Sequence, residues 1–389
     1  MSGTITINST DLVNAMKPQL LQMPEITQQS YSYVIWTDGT NYYAKNGRTG
    51  QIDFSGTDAS TVIQNAIFNL PNGGRIFVKS GTYILNKRVV FDKNVAIVGE
   101  NASPYVKPYT VKFVVNNTQG AFLITLASHL ENCVIEPASG LIPDTAIQIE
   151  YAYFAVVRDV LIHGPFMTGI GINGYVYAFW NLISHVNIDR DGDIIPGSRG
   201  IKLYTTTANK RPNENFFEYL VIRRYDIGID IDVGNHQTIR SVTLIEDNTG
   251  IRVNTEWNEI YGIRDELAPG TTLLVEDAGG GRGIYTGIKV NGAIILRQGG
   301  RSRFYDLYSG LEWTRRTGYQ VFSGDGTTTQ FKIFHGLPYA PSKILVTPGS
   351  NDAKGTFYVT ADATYIYVNY STAPPAGTNN VVLYWYAEV

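Results

Sequence analysis

Acidic side chains that could perform acid–base chemistry concentrate between positions 214 and 232. Glycoside hydrolysis needs two carboxylates about 5–9 Å apart, and neighbouring units of a stacked repeat can supply such a pair. The candidate catalytic acids are Glu214, Glu218, Asp230 and Asp232. Aspartates that alternate with isoleucines also keep the outer face of a strand soluble. We favour this second interpretation, because the sequence identifies no base or orienting partner for the acids.

A second acidic cluster, Asp189-Arg190-Asp191-Gly192-Asp193, indicates a candidate cation site. Ca²⁺ takes about six to eight oxygen ligands from flexible loops, so Asp189, Asp191 and Asp193 are candidate calcium ligands. The run lacks the remaining positions and the terminal Glu of an EF-hand loop. A solvated turn is the favoured interpretation, so no cofactor is expected, and Ca²⁺ is the alternative.

Aromatic and basic side chains supply a third kind of candidate site. Tyrosine and tryptophan rings offer a flat apolar face with a polar rim, which suits stacking on sugar rings. The candidate glycan-binding residues are Trp180, Tyr204, Trp257, Arg297 and Arg301, the two arginines as partners for acidic sugars. Tyr and Trp are also frequent at subunit interfaces, so a packing role is the alternative.

These candidates are spaced by a repeated phrase of glycine, isoleucine, a variable residue and a branched apolar residue. The phrase begins at Gly169, Gly200, Gly228, Gly250 and Gly287, at intervals of 31, 28, 22 and 37 residues (200−169, 228−200, 250−228, 287−250), with a looser copy at Ala146. Internal repeats of this length indicate one supersecondary unit stacked many times. The alternation within each phrase indicates a strand. Longer intervals predict insertions, at positions 189–199 and 204–215, where a solenoid carries its function.

The segment before the repeats indicates the kind of solenoid. Between Asp53 and Gly99, a capped amphipathic helix is followed by a Gly-Gly turn and short strands. The runs Asp-Ala-Ser-Thr-Val-Ile-Gln-Asn-Ala-Ile, Val-Lys-Ser-Gly-Thr-Tyr and Val-Ala-Ile-Val-Gly closely resemble the N-terminal capping region of pectate-lyase-like right-handed parallel β-helices. That region recurs in phage and archaeal-virus tailspikes and in polysaccharide-active enzymes. The resemblance implies an all-β fold in which the helix covers the open end of the coil.

The patterns and the resemblance together predict four regions. Residues 1–30 are expected to form a helical anchor or oligomerisation segment, and residues 31–80 a β-hairpin with the capping helix. The parallel β-helix is predicted over residues 81–312. Over residues 313–389, tyrosine-rich strands separated by turns such as Asp325-Gly326 predict an antiparallel β-sandwich.

Composition excludes several classes of protein. The 389 residues carry a net charge of −3, which gives no electrostatic argument for a nucleic-acid partner. The apolar runs are too short for membrane insertion, and no signal peptide is expected. A single cysteine, Cys133, excludes an intrachain disulfide.

The function that we expect is attachment to a host cell. By resemblance to tailspikes, the chain is expected to be a homotrimeric spike or fibre on the virion surface that binds a host surface glycan or glycoprotein. Its N-terminal segment would contact other virion proteins. The alternatives are a polysaccharide depolymerase (a glycoside hydrolase or lyase) and a structural assembly protein. The family's acidic calcium ligands with an arginine base, and its aspartates beside Gly-His-Gly, are not found in the sequence, so a non-enzymatic role is favoured.

Overall fold

The computed structural model describes residues 31–100, 110–267, 271–276, 283–290, 294–297, 303–305, 308–309, 312–313, 315–337 and 339–388. The predicted helical segment at residues 1–30 lies outside these described residues. The chain begins its described part with the elements β1 (Tyr33–Thr37), β2 (Tyr42–Asn46), β3 (Ile52–Gly56) and α1 (Ala59–Phe68).

The strands that follow α1 form a parallel coil, and a small antiparallel unit follows the coil. The coil strands are β4 (Gly74–Val78), β5 (Gly81–Leu85), β6 (Val89–Phe91), β7 (Val95–Gly99), β8 (Val111–Val115), β9 (Phe122–Ile124), β10 (His129–Pro137), β11 (Thr145–Tyr153), β12 (Val156–His163), β13 (Thr168–Phe179), β14 (Leu182–Asp189), β15 (Arg199–Tyr204), β16 (Phe216–Arg223), β17 (Ile227–Ile231), β18 (Thr238–Ile245), β19 (Thr249–Val253), β20 (Glu259–Glu266), β21 (Thr272–Glu276), β22 (Ile284–Thr286), β23 (Lys289–Val290), β24 (Ile294–Arg297), β25 (Arg303–Tyr305) and β26 (Tyr308–Ser309). A short strand, β27 (Glu312–Trp313), then pairs antiparallel with β26. The later strands are β28 (Arg315–Gly324), β29 (Gln330–Phe334), β30 (Lys343–Pro348), β31 (Phe357–Ala361), β32 (Tyr365–Tyr370) and β33 (Gly377–Glu388).

Each turn of the coil has three legs, and equivalent legs pair in parallel with those of the next turn. The third legs form one nine-stranded sheet, in the order β6-β9-β11-β13-β15-β17-β19-β21-β24. From β10 to β20, the first and second legs are two halves of one bent strand. The bends are residues with positive φ, a conformation that costs a non-glycine residue energy: Asn132 (58°), Asp159 (53°), His185 (53°), Tyr219 (54°) and Ser241 (56°). The predicted parallel β-helix is confirmed, although its first leg, β4, begins before the predicted boundary at Gly81.

The glycines of the repeated phrase stack at the corner that opens the third leg. A Cβ added to Gly200 would lie 2.4 Å from Ile222 Cγ2 and 2.5 Å from the Gly228 carbonyl oxygen. At Gly228 and Gly250, an added Cβ would lie 2.7 Å from the carbonyl oxygen of the next coil. Such approaches are shorter than van der Waals contact, so only a residue without a side chain fits. The phrase therefore marks a close backbone approach, and the following isoleucines fill the core.

The fifth copy of the phrase does not occupy this position. Gly287 has a φ of 63°, and Lys289 pairs with Arg264 of the second legs. The residue that follows Gly250 in the corner is Leu273, because Ile251 pairs with Leu274. The interval of 37 residues therefore compares two different legs. Position 287 favours glycine because its backbone has a positive φ. Position 250 favours glycine because the next coil leaves no space for a Cβ.

The helix α1 covers the open end of the coil as predicted. The Asp58 carboxylate caps its first turn by accepting a hydrogen bond from the Ser60 N–H at 3.2 Å. Its buried side is formed by Val62, Ile63, Ala66 and Ile67. The strand β6 would otherwise present unpaired backbone groups at the end of its sheet. Gln64 replaces the missing strand, donating to the Val90 carbonyl (3.0 Å) and accepting from the Val90 N–H (2.8 Å).

The C-terminal unit is a sandwich of two three-stranded antiparallel sheets. One sheet has the order β28-β33-β30 and the other the order β29-β32-β31. Its core is a separate hydrophobic cluster that includes Phe331, Ile366, Val368 and Leu383. The predicted β-sandwich is therefore confirmed. Among the described residues, no helix combines the length and apolar character needed to cross a bilayer.

Candidate functional site

The outer face of the third legs carries two columns of side chains. Parallel pairing in register stacks each outward residue on its equivalent in the next coil. The first column is Gln148, Gly171, Lys202, Asp230 and Arg252. Two residues further along each strand, the second column is Glu150, Asn173, Tyr204, Asp232 and Asn254.

A pocket of about 460 Å³ opens beside Gln148 of the first column and Glu150, Asn173 and Tyr204 of the second. The Gln148 side chain fills the space over Gly171, where an added Cβ would lie 2.6 Å from Gln148 Oε1. The pocket is lined by Arg88, Asp144, Thr145, Gln148, Glu150, Asn173, Tyr175, Tyr204 and Thr206. It therefore combines carboxylates, a guanidinium, amides and phenols, which can all bind hydroxyl groups.

Hydrogen bonds hold the side chains of the pocket in place. The Tyr204 hydroxyl donates to Gln148 Oε1 at 3.1 Å. Asn173 Nδ2 donates to Glu150 Oε1 at 3.2 Å and lies 3.3 Å from Thr206 Oγ1. Lys202 Nζ lies 4.9 Å from the centre of the Tyr204 ring. The predicted residue Tyr204 therefore lies in the pocket, with its hydroxyl bound to Gln148 and a lysine over its ring.

Burial and neighbouring charges shift the pKa of the Tyr204 phenol. Burial raises the pKa of Tyr204, and the carboxylate of Glu150 raises it further. The hydrogen bond with Gln148 and the charge of Arg88 act in the opposite direction. The net direction is upward, so the phenol keeps its proton at neutral pH and remains a hydrogen-bond donor.

A ridge of exposed side chains runs along the corner between the third and first legs. This corner ridge consists of Phe154, Trp180, Glu214, His236 and Trp257, which all have φ between 55° and 63°. The rings of Phe154 and Trp180 stack at 5.3 Å, and those of His236 and Trp257 at 6.1 Å. Glu214 separates the two pairs and accepts a hydrogen bond from Trp180 Nε1 at 2.5 Å. Trp180 and Trp257 are three coils apart, which corresponds to about 14 Å.

A buried polar ladder fixes the corner ridge from inside. Its members directly follow ridge residues in the chain: Asn181, Asn215, Gln237 and Asn258. Each backbone N–H of the first three donates to the side-chain oxygen of the next member, at 3.0–3.1 Å. Because each left-handed ridge residue points outward and each ladder residue points inward, the ladder determines where the tryptophans lie.

Two of the four predicted catalytic acids form ion pairs with arginines. Asp230 is fully buried between two arginines: Arg252 binds it with two hydrogen bonds of 2.7 Å, and Arg199 Nε lies 2.7 Å from Oδ2. Glu218 pairs with Arg240 at 2.7 Å and accepts from Ser184 Oγ at 3.1 Å. Alternation placed Asp230 on a solvated face, and this was wrong because the two guanidinium groups cover it.

The remaining two acids do not complete a pair with these. Asp232 is exposed and accepts a hydrogen bond from Asn254 Nδ2 at 3.0 Å. Glu214 lies on the corner ridge, Glu218 on a first leg, and Asp230 and Asp232 on a third leg. The four acids therefore lie on different parts of the coil surface, and a catalytic role for them stays a prediction.

The three aspartates of the Asp189 cluster each contact a different residue. Asp189 lies 4.0 Å from Arg223, and Asp191 lies 3.2 Å from His163 Nε2. Asp193 contributes its backbone oxygen to Arg190 Nε at 3.1 Å. Over the described ranges, no three His, Cys, Asp or Glu side chains are gathered as metal ligands. The geometry gives the calcium prediction no support.

Two predicted glycan-binding residues cannot be placed, and several pocket residues were not predicted. Arg301 lies outside the described residues, and only the backbone of Arg297, at the end of β24, is described. Glu150 and Asn173 were missed as members of a site, although the aligned phrases predict their column with Tyr204. Arg88 and Asp144 belong to the turns before β6 and β11, where the repeat gives no register.

Most of the coil matches the model of a known protein family. Residues 51–266 match the model of the family described as rhamnogalacturonase A/epimerase, pectate lyase-like. No curated protein sequence matches the chain.

Several solved structures are similar to this chain at low identity. ORF18 of Geobacillus virus E2 is 12% identical with a TM-score of 0.36, over 84% of this chain and 73% of that one. The tailspike of phage phiAB6, solved with three-repeated oligosaccharides of Acinetobacter baumannii surface polysaccharide, is 12% identical with a TM-score of 0.44, over 85% and 84%. The A-module of an Azotobacter vinelandii mannuronan C-5 epimerase is 11% identical with a TM-score of 0.35, over 66% and 87%.

Proposed function

The chain belongs to the rhamnogalacturonase A/epimerase, pectate lyase-like family, and from this premise we propose that it is a virion-associated spike that attaches to a host surface glycan. The virion setting follows from the resemblance of residues 53–99 to the capping region found in tailspikes. The same resemblance suggests a homotrimer in which residues 1–30 contact other virion proteins. Light scattering of the purified chain tests the trimer.

The observation that carries the proposal is the pocket beside Gln148 and Tyr204. Carbohydrate hydroxyls both donate and accept hydrogen bonds, and the pocket offers acceptors at Asp144 and Glu150, a donor at Arg88 and an amide at Asn173. The rings of Tyr175 and Tyr204 add apolar surface for the C–H face of a sugar. A small set of fixed polar groups in a concave site is typical of small-ligand recognition.

The corner ridge extends this surface beyond the pocket. The strand β13 runs from the pocket, at Asn173 and Tyr175, to Phe179, whose ring lies 6.0 Å from that of Trp180. Tyr177, between them in sequence, carries Lys210 Nζ at 4.3 Å from its ring centre. A polysaccharide chain seated in the pocket can therefore continue along β13 toward Trp180.

Asn173 and Asn254 provide a matched pair of variants for testing this proposal. Both belong to the second column and both donate from Nδ2 to a neighbouring carboxylate, but only Asn173 lines the pocket. We expect Asn173→Ala to lower affinity for a retained polysaccharide at least tenfold and Asn254→Ala to leave it unchanged. The measurement is affinity electrophoresis in gels cast with bacterial capsular polysaccharides, O-antigens, alginate, polygalacturonate or dextran. Equal effects of the two variants, or no retention in any gel, would refute the proposal.

A depolymerase is the second candidate function, because Asp144 and Glu150 line the same pocket. A pair of carboxylates is what glycosidic cleavage uses. Reducing-end and unsaturated-product assays on a retained polysaccharide test this candidate. Cleavage that disappears in both Asp144→Asn and Glu150→Gln supports it, whereas cleavage that persists in both returns attention to Glu214, Glu218, Asp230 and Asp232.

A further inference from the structure

The outer face of one sandwich sheet is a regular grid of side chains. In the sheet β29-β32-β31, Ile333, Ile366 and Val368 point into the core, so the alternate residues point outward. Antiparallel register arranges the outward residues in three rows: Gln330, Asn369 and Tyr358; Lys332, Tyr367 and Thr360; Phe334 and Tyr365. The strand spacing and rise give this grid a span of about 14 Å by 10 Å.

Aromatic rings are exposed in each of the outer rows. The exposed fractions are 66% for Tyr358, 61% for Phe334 and 37% for Tyr365. The rings of Phe334 and Tyr365 lie 6.0 Å apart, and those of Tyr365 and Tyr367 lie 6.4 Å apart. The grid therefore exposes three large aromatic rings to solvent.

Polar groups alternate with these rings. Gln330 Nε2 donates to Asn369 Oδ1 at 2.8 Å, and Lys332 Nζ lies 5.5 Å from the centre of the Tyr367 ring. Each amide has two N–H groups and an oxygen with two lone pairs, so one such bond leaves capacity for a ligand. Asp362, next to the grid, accepts from the Tyr367 hydroxyl at 2.6 Å and from two backbone N–H groups at 2.7 Å. Its carboxylate is thus turned toward its own loop.

From this arrangement we propose that the grid on β29, β32 and β31 is a second carbohydrate-binding site, for an extended oligosaccharide. A sugar ring has an apolar C–H face and a rim of hydroxyls. The first two rows of the grid each combine an aromatic ring, that of Tyr358 or Tyr367, with amide, ammonium or hydroxyl groups. The grid is long enough for a short oligosaccharide. It belongs to a different hydrophobic cluster from the coil pocket, so this proposal does not depend on binding there.

The opposite sheet of the sandwich shows why a carbohydrate suits the grid better than a protein does. Its outer face bears Tyr319, Leu345 and Tyr384, exposed by 66%, 61% and 52%. Their cross-strand neighbours on that face include Val321 and Val382, which pair with each other. That face carries the aliphatic side chains of Leu345, Val321 and Val382 beside its tyrosines and Thr347, and apolar groups of this kind are common at protein contacts. The grid carries no aliphatic side chain and alternates rings with hydrogen-bonding groups.

Two tyrosines of similar exposure make a matched test. Tyr358 belongs to the grid and Tyr384 to the opposite face of the same sandwich. In the full chain with the Asn173→Ala substitution, we expect Tyr358→Ala to lower the remaining retention in polysaccharide gels at least tenfold. Gln330→Ala is expected to lower it about threefold, and Tyr384→Ala to leave it unchanged. Thermal unfolding midpoints of the variants check that each one folds.

The outcomes separate this site from the coil pocket. Retention that is lost on Asn173→Ala and insensitive to Tyr358→Ala would overturn the second site and leave the pocket intact. Retention that is insensitive to Asn173→Ala and lost on Tyr358→Ala would support the grid and count against the pocket. An equal loss in Tyr358→Ala and Tyr384→Ala, a change of oligomeric state in Tyr358→Ala, or a wild-type chain retained in no gel would also overturn the inference.

Discussion

The coil and the sandwich are both built of strands, but they stabilise their interiors differently. In the coil, each side chain stacks on its equivalent in the next turn, and polar residues such as Asn215 and Gln237 are buried in continuous ladders. In the sandwich, two sheets interdigitate around a small apolar cluster that includes Ile366 and Leu383. The stability of the coil is therefore a sum of contributions from the interfaces between neighbouring turns. The sandwich, by contrast, is expected to unfold cooperatively as one unit. The difference predicts two separable unfolding transitions.

The largest expected effect is in the coil ladder. Asn215 Oδ1 accepts from the backbone N–H and the side chain of Asn181, and its Nδ2 lies 3.1 Å from the Ala178 oxygen. Asn215→Leu has a similar volume but leaves these buried groups without partners, at about 1–3 kcal/mol for each group. We expect the coil transition in urea to lose about 4 kcal/mol and the sandwich transition to stay in place.

The half-buried residue Asn254 supplies the control for this variant. Asn254→Ala removes an amide of the same type from the second column together with one hydrogen bond to Asp232, and it should shift the coil transition by about 1 kcal/mol at most. If Asn215→Leu moved both transitions equally, the coil and the sandwich would unfold as one unit, and the prediction of two separable transitions would be wrong.

The converse variant lies in the sandwich and should have a somewhat smaller effect. Ile366 is fully buried in the central strand β32, and Ile366→Ala should cost about 3 kcal/mol through lost burial and a cavity. Only the transition of the sandwich should move, as measured by tyrosine fluorescence during urea unfolding. An unchanged affinity at the coil pocket would sharpen the separation, and a shift of the coil transition would contradict it.

The coil was more predictable from sequence than the sandwich because a repeat carries its own register. Aligning the phrases at Gly169, Gly200, Gly228 and Gly250 gives the strand pairing of the third legs directly. Gly287 misled the alignment, since glycine is required at two kinds of corner for two different reasons. In the sandwich, turns such as Asp325-Gly326 predict strands but not which strand pairs with which.

The candidate site was predicted only in part, for physical reasons. Tyr204, Trp180 and Trp257 were expected as exposed aromatic residues because strand alternation and ring chemistry are local properties. The burial of Asp230 depends on Arg199 and Arg252, which come from other coils, and alternation alone cannot show that charges cover each other. Asp144 reaches the pocket from a turn whose path the repeat does not determine.

The smallest expected effect is a pH dependence that belongs to the coil. His163 Nε2 lies 3.2 Å from Asp191 Oδ2, and His163 Nδ1 lies 3.6 Å from Glu136 Oε1, which also pairs with Lys112 through its other oxygen. The contact with the Glu136 carboxylate raises the pKa of His163, burial opposes this, and the charges of Asp191 and Asp189 add to the rise. The contact with His163 in turn lowers the pKa of Glu136, against the effect of burial.

The direction of this pH dependence follows from the two shifts. The contribution of His163 is fully present below the pKa of an unfolded histidine, about 6.5, and is lost as the pH rises through the higher pKa of the folded state. The contribution of Glu136 is present above its unfolded pKa and is lost as the pH falls through its lowered one. Because Asp191 is largely exposed, we expect less than about 1 kcal/mol. His163→Gln should remove the alkaline loss from the coil transition, measured by urea unfolding across neutral pH, and the same loss in the variant would show that another group causes it.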